Sequence, residues 1–277
     1  MTLGRTTISI TILAVVATFV VGTHSVEAAI FGNPAGAWLF DGDLTDATQN
    51  GNDGVLGTGT ETYEAVSVPF PGAYPANSSL FLDGASAVTV APDAAIQTQT
   101  GSFSVQAWAV RRASFQTVLA KRTAGTSANW ELIMGNDANP FRWQLGGSNS
   151  TVTLEHSVAG NFGTWHQYVL VVDRSTDQAH FYYDGALADT ESIAGIGDLD
   201  GGGAGHQLIV GSSSALSNPF VGILNGTVDE VAIYQRALGA SDVQTMFNNT
   251  LFPEPGALVM LCLGVGVLTG SRRTRNA

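Results

Sequence analysis

The sequence predicts an all-β fold in which two antiparallel sheets pack face to face. Between residues 37 and 234 apolar residues mostly alternate with polar ones, which is the period of a strand with one buried face. Clusters of Gly, Asn, Asp and Ser interrupt this alternation about every ten residues, as turns between short strands do. No long helical pattern separates the strands, so antiparallel pairing is favoured over β-α-β units.

Twelve segments carry the strand pattern. They are residues 37–41, 79–83, 87–91, 103–111, 117–121, 130–134, 141–145, 152–156, 166–173, 180–183, 207–211 and 226–234. The Gly-, Thr- and Asn-rich tract 42–72 is predicted to be a loop, and the glycine-rich stretch 195–205 a flexible hairpin connection. About 225 residues remain between the two terminal segments, a length typical of one sandwich domain.

One short helix is predicted after the last strand. Ser241 and Gln244 have the spacing of a capping box, in which both side chains satisfy free amides at a helix start. Val243, Met246 and Phe247 then form an apolar stripe on one side of the helix.

The five tryptophans are predicted to pack into the core. An exposed indole face would suit a sugar ring, but each tryptophan lies at the start or centre of a predicted strand, beside apolar residues that share its face. They are Trp38, Trp108, Trp130, Trp143 and Trp165.

The composition argues against nucleic acid as a partner. The chain has 23 Asp+Glu against 11 Lys+Arg, a formal net charge of -12, and phosphate binding needs basic clusters that the part between the two terminal segments lacks. The single cysteine, Cys262, lies in a C-terminal apolar run. Because the domain has no disulfide, packing, hydrogen bonds or a metal must hold its loops.

No local signature of catalysis is present. Glycoside hydrolysis needs paired carboxylates, and acyl transfer needs a nucleophile with its base. Asp189 and Glu191 form the nearest alternating acidic pair and are predicted to lie on a solvent-facing strand edge. The histidines of the domain do not have the paired spacing of a zinc site. They are His156, His166, His180 and His206.

Calcium is the more credible ion, because Asp, Asn and backbone carbonyls supply hard oxygen ligands in the loops. The candidate ligands are Asp43, Asp46 and Asn52 early in the chain and Asp229 late in it. Asp198 and Asp200 form a weaker candidate, because their loop lacks the bidentate glutamate of a helix-loop-helix site.

Residues 1–28 have the three parts of an export signal. Arg5 supplies the positive start, residues 8–22 are uncharged and mostly apolar, and Val26 and Ala28 are acceptable positions before a cut. The sequence therefore predicts cleavage after Ala28. An uncleaved membrane anchor is the alternative, although the apolar run is short for a hydrocarbon core of ~30 Å.

A second apolar run lies near the C-terminus, at residues 256–270. A helix of this length covers about 22 Å, less than the ~30 Å of the hydrocarbon core, so it would hold the chain in a membrane only transiently. Arg272 and Arg273 follow directly. Because positive charge stays on the cytoplasmic side, the domain is expected to lie outside.

Pro253, Glu254 and Pro255 precede this run. The trio, the short apolar segment and the arginines at 253–277 together resemble the bacterial PEP-CTERM sorting signal. The resemblance implies cleavage by a membrane transpeptidase of the exosortase type and delivery to the cell surface or an exopolysaccharide layer. An ordinary C-terminal membrane anchor is the alternative.

Seven stretches between these ends have an order and spacing that point to one family. They lie at 37–54, 79–90, 101–112, 164–173, 179–187, 208–213 and 220–247, and the last, with its strand VDEVAIY followed by QRAL and a short helix, is the most specific. Together they resemble the laminin G-like, concanavalin A-like jelly-roll family. The domain at 29–252 is therefore expected to be a jelly roll of two curved sheets with six or seven strands each.

The resemblance also implies where ligands bind. Members of this family bind through edge loops or the concave face, and a calcium ion often ties the early acidic loop to a strand near the end. This carries over to Asp46 and Asp229. The alternative for Asp229 is a salt bridge to Arg236 or a turn cap.

The expected function is an exported, surface-sorted, non-enzymatic module that binds carbohydrate or extracellular matrix polysaccharide. The family also contains adhesion domains and a few glycan-cleaving enzymes, so the fold alone does not decide the function. The members that cut β-glucans show a Glu-x-Asp-x-Glu strand, which this chain lacks. Two alternatives remain, a purely structural envelope or biofilm matrix protein and a glycan-active hydrolase or lyase.

Overall fold

The computed structural model describes residues 31–57, 60–64, 78–122, 129–136, 139–159, 162–199, 205–213 and 222–249. The predicted export signal at 1–28 and sorting signal at 253–277 lie outside these residues, as does Asp200. Within the described ranges no helix has the length and apolar character needed to cross a membrane.

Fifteen strands and one α-helix make up the described part of the chain. In chain order they are β1 Gly36–Trp38, β2 Gly54–Leu56, β3 Thr62–Glu64, β4 Ser79–Asp83, β5 Val88–Val90, β6 Phe103–Arg111, β7 Gln116–Arg122, β8 Trp130–Met134, β9 Phe141–Gly146, β10 Thr151–His156, β11 His166–Asp173, β12 Gln178–Tyr183, β13 Ala186–Ser192, β14 Gln207–Val210, β15 Asn225–Tyr234 and α1 Ala240–Asn248.

The strands form two antiparallel sheets that pack as a jelly-roll sandwich. The eight-stranded sheet has the order β13-β12-β11-β6-β15-β4-β3, and β1 also pairs with β15. The seven-stranded sheet has the order β10-β9-β8-β7-β14-β5-β2. The all-β sandwich predicted from the alternation is confirmed, although one sheet has a strand more than expected.

The hydrophobic core lies between the sheets and is built from alternate residues of their strands. Trp130 and Trp143 meet there in an edge-on contact, with ring centroids 6.0 Å apart. Full burial of one such apolar side chain contributes roughly 1.5–3 kcal/mol. The prediction that tryptophans fill the core is confirmed for Trp38, Trp130 and Trp143. Trp108 is buried on the outer face of the eight-stranded sheet instead, in a separate cluster with Phe247 and the half-buried Trp165.

The helix α1 covers part of the outer face of the eight-stranded sheet. Val243 and Met246 are buried against that sheet, and Phe247 stacks on Trp108 with ring centroids 5.6 Å apart. The predicted helix is confirmed, but its capping box begins two residues earlier than expected, at Gly239 instead of Ser241. Gly239 is the N-cap, and its main-chain N–H donates to the Asp242 carboxylate at 3.3 Å.

The twelve predicted strands are all present, and the errors fall in segments without strong alternation. The tract 42–72, predicted as loop, contains the short strands β2 and β3. The stretch 195–205 is not part of a hairpin, because β13 belongs to one sheet and β14 to the other. β13 and β14 are therefore not partners in a hairpin.

The sequence predicted a solvent-facing strand edge at Asp189 and Glu191. Both residues lie in β13, which is the exposed edge strand of the eight-stranded sheet. The Asp189 carboxylate accepts a hydrogen bond of 2.7 Å from the main-chain N–H of Glu155 on β10. This contact joins the adjacent edges of the two sheets and occupies a donor that another strand could otherwise use.

Candidate functional site

Polar side chains lie on the outer face of the seven-stranded sheet. In β8, Glu131 and Ile133 are half-buried and alternate with fully buried residues, and Arg142 and Gln144 do the same in β9. Successive side chains of a strand point to opposite faces, so these four residues share the face away from the core. Together with Thr153 on β10 they are called the polar face below.

The register of the strands places these side chains in two rows. Glu131 lies opposite Gln144, and Gln144 lies opposite Thr153. Ile133 lies opposite Arg142 in the next row. Since directly opposite residues have Cβ atoms ~4.5–5.5 Å apart, a carboxylate, a carboxamide and a hydroxyl stand side by side, next to a guanidinium and an aliphatic side chain.

Three of these side chains are not bonded to the rest of the described protein. Glu131, Arg142 and Gln144 make no side-chain hydrogen bond or ion pair with any residue that the structure describes, and the Nε of Arg142 is buried without a partner. An unpaired buried donor costs roughly 1–3 kcal/mol. A ligand that accepts from Arg142 would therefore recover this cost.

The charges of the polar face suit hydroxyl groups. Burial raises the pKa of the Glu131 carboxyl, and the positive charges of Arg122 and Arg142 act in the opposite direction. Arg122 is held by its own bond of 2.7 Å to the carbonyl of Ser213. A sugar hydroxyl can donate to a carboxylate and accept from a guanidinium at once, and this face offers both groups.

The predicted metal ligand Asp46 organises the first loop. Its Oδ1 accepts hydrogen bonds from the main-chain N–H of Ala37 at 3.1 Å and from the N–H and hydroxyl of Thr48 at 3.0 and 2.7 Å. Its Oδ2 accepts from the main-chain N–H and the side-chain amide of Asn52 at 3.2 and 2.9 Å. A carboxylate has about four lone-pair sites, so these five donors fill Asp46.

Asn52 also connects this loop to the core. Its main-chain carbonyl accepts a hydrogen bond of 2.8 Å from the Trp38 indole N–H. The acidic loop is thus fixed to β1 through side-chain and main-chain bonds that need no metal.

Asp229 lies fully buried in β15, opposite Trp108 on β6. Its Oδ1 accepts a hydrogen bond of 2.8 Å from the Glu230 N–H, and its Oδ2 is buried with no hydrogen-bond partner among the described residues. Burial raises the pKa of the Asp229 carboxyl well above its usual value, and the negative charges of Glu230 and Asp41 raise it further.

The two predicted metal ligands share no hydrogen-bond partner. Asp46 is saturated, whereas the Oδ2 of Asp229 has no hydrogen-bond partner among the described residues. Within the described ranges no three His, Cys, Asp or Glu side chains are grouped to hold a metal. Arg236 pairs with Asp242 at 2.9 Å, so the alternative salt bridge to Asp229 does not form.

The remaining predicted ligands serve their own loops. Asp43 is exposed and accepts bonds from the main-chain N–H and the hydroxyl of Thr45 at 2.9 and 2.6 Å. Asp198 is tied to Ser148 through its main-chain N–H and carbonyl. The sorting residues at 253–277 lie outside the described part of the chain.

The residues of the polar face were not predicted from the sequence as a site. A signal was present, because the alternation that buries tryptophans in WELIM and FRWQL sets Glu131, Arg142 and Gln144 on the opposite face. The sequence does not reveal that β8, β9 and β10 are neighbours in register, and this pairing brings the three groups together.

One family model matches the chain. Laminin_G_3, described as the concanavalin A-like lectin/glucanases superfamily, matches residues 82–244, more than half of the chain. No curated protein matches it.

Several solved structures are similar. The binding domain of Paraclostridial Mosquitocidal Protein 1 has a TM-score of 0.60 at 16% identity, over 78% of this chain and 52% of that one. The botulinum neurotoxin serotype D ligand binding domain, in complex with N-acetylneuraminic acid, has a TM-score of 0.58 at 11% identity, over 79% and 51%.

A third similar structure is domain 4 of AbnA, a GH43 extracellular arabinanase from Geobacillus stearothermophilus, in complex with arabinotriose. It has a TM-score of 0.52 at 20% identity, over 79% of this chain and 98% of that domain. The chain therefore spans about half the length of the two toxin domains and nearly all of the arabinanase domain. At these identities the likeness concerns the fold.

Proposed function

Because the chain belongs to the Laminin_G_3 family of the concanavalin A-like superfamily, we propose that it is an exported, surface-sorted module that binds carbohydrate or extracellular matrix polysaccharide without cleaving it. The free carboxylate, guanidinium and carboxamide of the polar face carry this proposal. Two of the similar structures are complexes with sugars, N-acetylneuraminic acid and arabinotriose, which supports a glycan as the ligand.

The polar face is suited to a flexible polymer rather than to a deep-bound small molecule. Its side chains are half-buried on the outer face of the sheet and extend across three strands, which are roughly 4.8 Å apart. Ile133 supplies an apolar patch beside Arg142 on which the carbon side of a sugar ring can lie. Hydrogen bonds from the row Glu131, Gln144 and Thr153 to sugar hydroxyls would then fix the orientation of the bound polysaccharide.

The experiment that tests this function is retention of the full-length protein on an array of bacterial and algal polysaccharides, with calcium and again with EDTA. Saturable retention on a few glycans is the expected result. No retention under either condition would favour the structural matrix protein. Release of reducing ends, or absorbance from a newly formed double bond, would favour the hydrolase or lyase.

Calcium is proposed as a structural ion at Asp229. A divalent cation would satisfy the free Oδ2 and offset the repulsion from Glu230 and Asp41, and hard oxygen ligands are what calcium prefers. Asp46, proposed with it from the sequence, would act beside the ion by holding the loop, since its lone pairs are filled.

Export and sorting are proposed from the two terminal segments. The three-part pattern at 1–28 and the PEP trio, apolar run and arginines at 253–277 support cleavage at both ends, with an exosortase-type transpeptidase as partner and a transient membrane anchor. Mass spectrometry of surface-extracted protein from the source bacterium tests this. An N-terminus at residue 29 and a C-terminus near 253–255 are expected, and an intact C-terminus at Ala277 would contradict it.

A further inference from the structure

We infer that a pocket lined by three glutamines at one end of the sandwich is a second ligand site, which takes a neutral polyhydroxy group such as the end of a glycan chain. The pocket has a volume of about 370 Å³, within the range of small-ligand pockets. Its polar lining comprises Gln97, Gln99, Gln235, Thr100 and Asp93. This inference rests on the proposed function only in its choice of a glycan.

The pocket lies where the connection from β5 to β6 meets the end of β15. That connection contains a 3-10 turn at Ala94–Ile96. The Gln235 side-chain amide donates to the carbonyls of Ala95 and Gln97 at 2.8 and 2.6 Å, and the Asp93 carboxylate accepts from the Ala95 N–H at 2.7 Å. The two walls are therefore joined directly.

Further bonds fix the same loop from outside the pocket. The carbonyl of Gln99 accepts from the Arg174 guanidinium at 3.2 Å and from the Leu199 N–H at 3.1 Å. The hydroxyl of Thr98 accepts from the Trp130 indole N–H at 3.0 Å. A loop held in this way loses little conformational entropy when a ligand binds, so the pocket is shaped before binding.

One acceptor in the lining has no donor. The Oε1 of Gln97 is buried and makes no hydrogen bond with any described residue. A buried carbonyl oxygen without a donor is costly, and a ligand hydroxyl would supply the missing O–H. The amides of Gln97 and Gln99 and the hydroxyl of Thr100 can each donate and accept, as hydroxyl recognition requires.

The lining also indicates which ligands are excluded. Among the described residues no Lys, Arg or His lines the pocket, and Asp93 is the one charged residue of that lining. The Arg174 guanidinium beside this loop already donates to the carbonyls of Gln99 and Gly197. A carboxylated or sulfated sugar would therefore meet the Asp93 carboxylate with no cation in the lining to neutralise it, which is unfavourable. The pocket fits neutral sugars, whereas the polar face, with Arg142, can also accept an anionic group.

The test is saturation-transfer NMR on the full-length protein with arabinose, glucose, galactose and galacturonate as probes. Saturable binding of at least one neutral sugar is expected, with at least a tenfold loss in Gln97→Leu. Thr100→Val is expected to lose about threefold in affinity, since it removes one hydrogen-bonding hydroxyl and keeps the shape of the side chain. Gln178→Leu, an exposed glutamine on β12, is the matched control and should bind as the unaltered protein does.

Unchanged sugar binding in a Gln97→Leu protein with an unchanged melting temperature would overturn the inference, as would preference for galacturonate or no binding of any neutral sugar. Glu131→Gln separates the two sites. Loss of sugar binding in Gln97→Leu but not in Glu131→Gln supports the pocket. The reverse pattern overturns the pocket and leaves the polar face, and the proposed function, standing.

Discussion

Glu131 and Gln144 lie directly opposite each other on β8 and β9, on the face that the core does not use, and neither side chain has a hydrogen-bond partner among the described residues. Cross-strand pairs usually stabilise a sheet through contact with each other. This pair instead leaves a carboxylate and a carboxamide available beside the free guanidinium of Arg142. The core-facing side chains of these strands stabilise the sheet, which leaves the outer side chains available for the ligand binding proposed above.

Asp229→Asn should stabilise the protein at neutral pH when calcium is absent. The pKa of Asp229 is higher in the folded than in the unfolded protein. The stability that the protonated Asp229 side chain contributes is therefore complete below the unfolded-state pKa and is lost as the pH rises through the folded-state pKa. Each unit of elevation costs about 1.4 kcal/mol once the group is forced to ionise. In urea unfolding with EDTA, the free energy of unfolding of Asp229→Asn should exceed that of the unaltered protein by an amount that grows from pH 4 to pH 8.

Asp177→Asn, at an exposed position, is the control for that series and should show no such growth. If the Asp229→Asn advantage were the same at every pH, the buried carboxylate would not be the cause.

Calcium should raise the melting temperature of the unaltered protein, and EDTA should reverse the rise. A ligand at a hundred times its dissociation constant adds about 2.7 kcal/mol, which for a domain of this size is roughly 5–10 °C. Asp229→Ala should remove the effect, because it deletes the free buried oxygen. Identical melts with calcium and EDTA would end the calcium proposal.

Asp46→Ala should destabilise the protein by about 2–4 kcal/mol, since five hydrogen-bond donors lose their acceptor and several are buried. The loss should be equal in calcium and in EDTA, because Asp46 has no lone pair left for an ion. Asp43→Ala removes an exposed carboxylate with one local partner, Thr45, and should cost less than about 1 kcal/mol. A loss for Asp46→Ala that disappeared in EDTA would instead make Asp46 a metal ligand.

Gly226→Ala should destabilise the protein by about 3 kcal/mol or more. A Cβ at this position would lie 2.1 Å from the carbonyl oxygen of Val110, between the central strands β6 and β15, where neither backbone can move freely. Gly101→Ala is the control, because a Cβ there meets nothing within 4 Å. Comparable denaturant midpoints for the two variants would contradict the packing between these strands.

The fold was largely predictable because its strands obey a period of two. WELIM and FRWQL each bury their tryptophan, as that period requires. Gly54–Leu56 and Thr62–Glu64 were missed, since three-residue strands in a Gly-rich tract are too short to show a period. The helix cap was misplaced because Gly239 acts through its backbone and needs no capping side chain.

The candidate site was harder to predict, because it depends on register and burial. Asp46 and Asp229 look equivalent as acidic residues in a sequence, but one is saturated by neighbouring donors and the other is buried with a free oxygen. Glu131 and Arg142 are 11 positions apart in the chain and lie on adjacent strands only because β8 and β9 pair. No periodicity carries that information.

The most direct test of the central claim is the affinity of the full-length protein, with Glu131→Gln and Arg142→Met, for whichever polysaccharide retains it. Each variant is expected to bind at least tenfold more weakly, since a hydrogen bond to a charged group contributes roughly 1.5–3 kcal/mol. Glu191→Gln, an exposed glutamate on β13, should bind as the unaltered protein does. Unchanged affinity in both folded variants would contradict the assignment of glycan binding to the polar face.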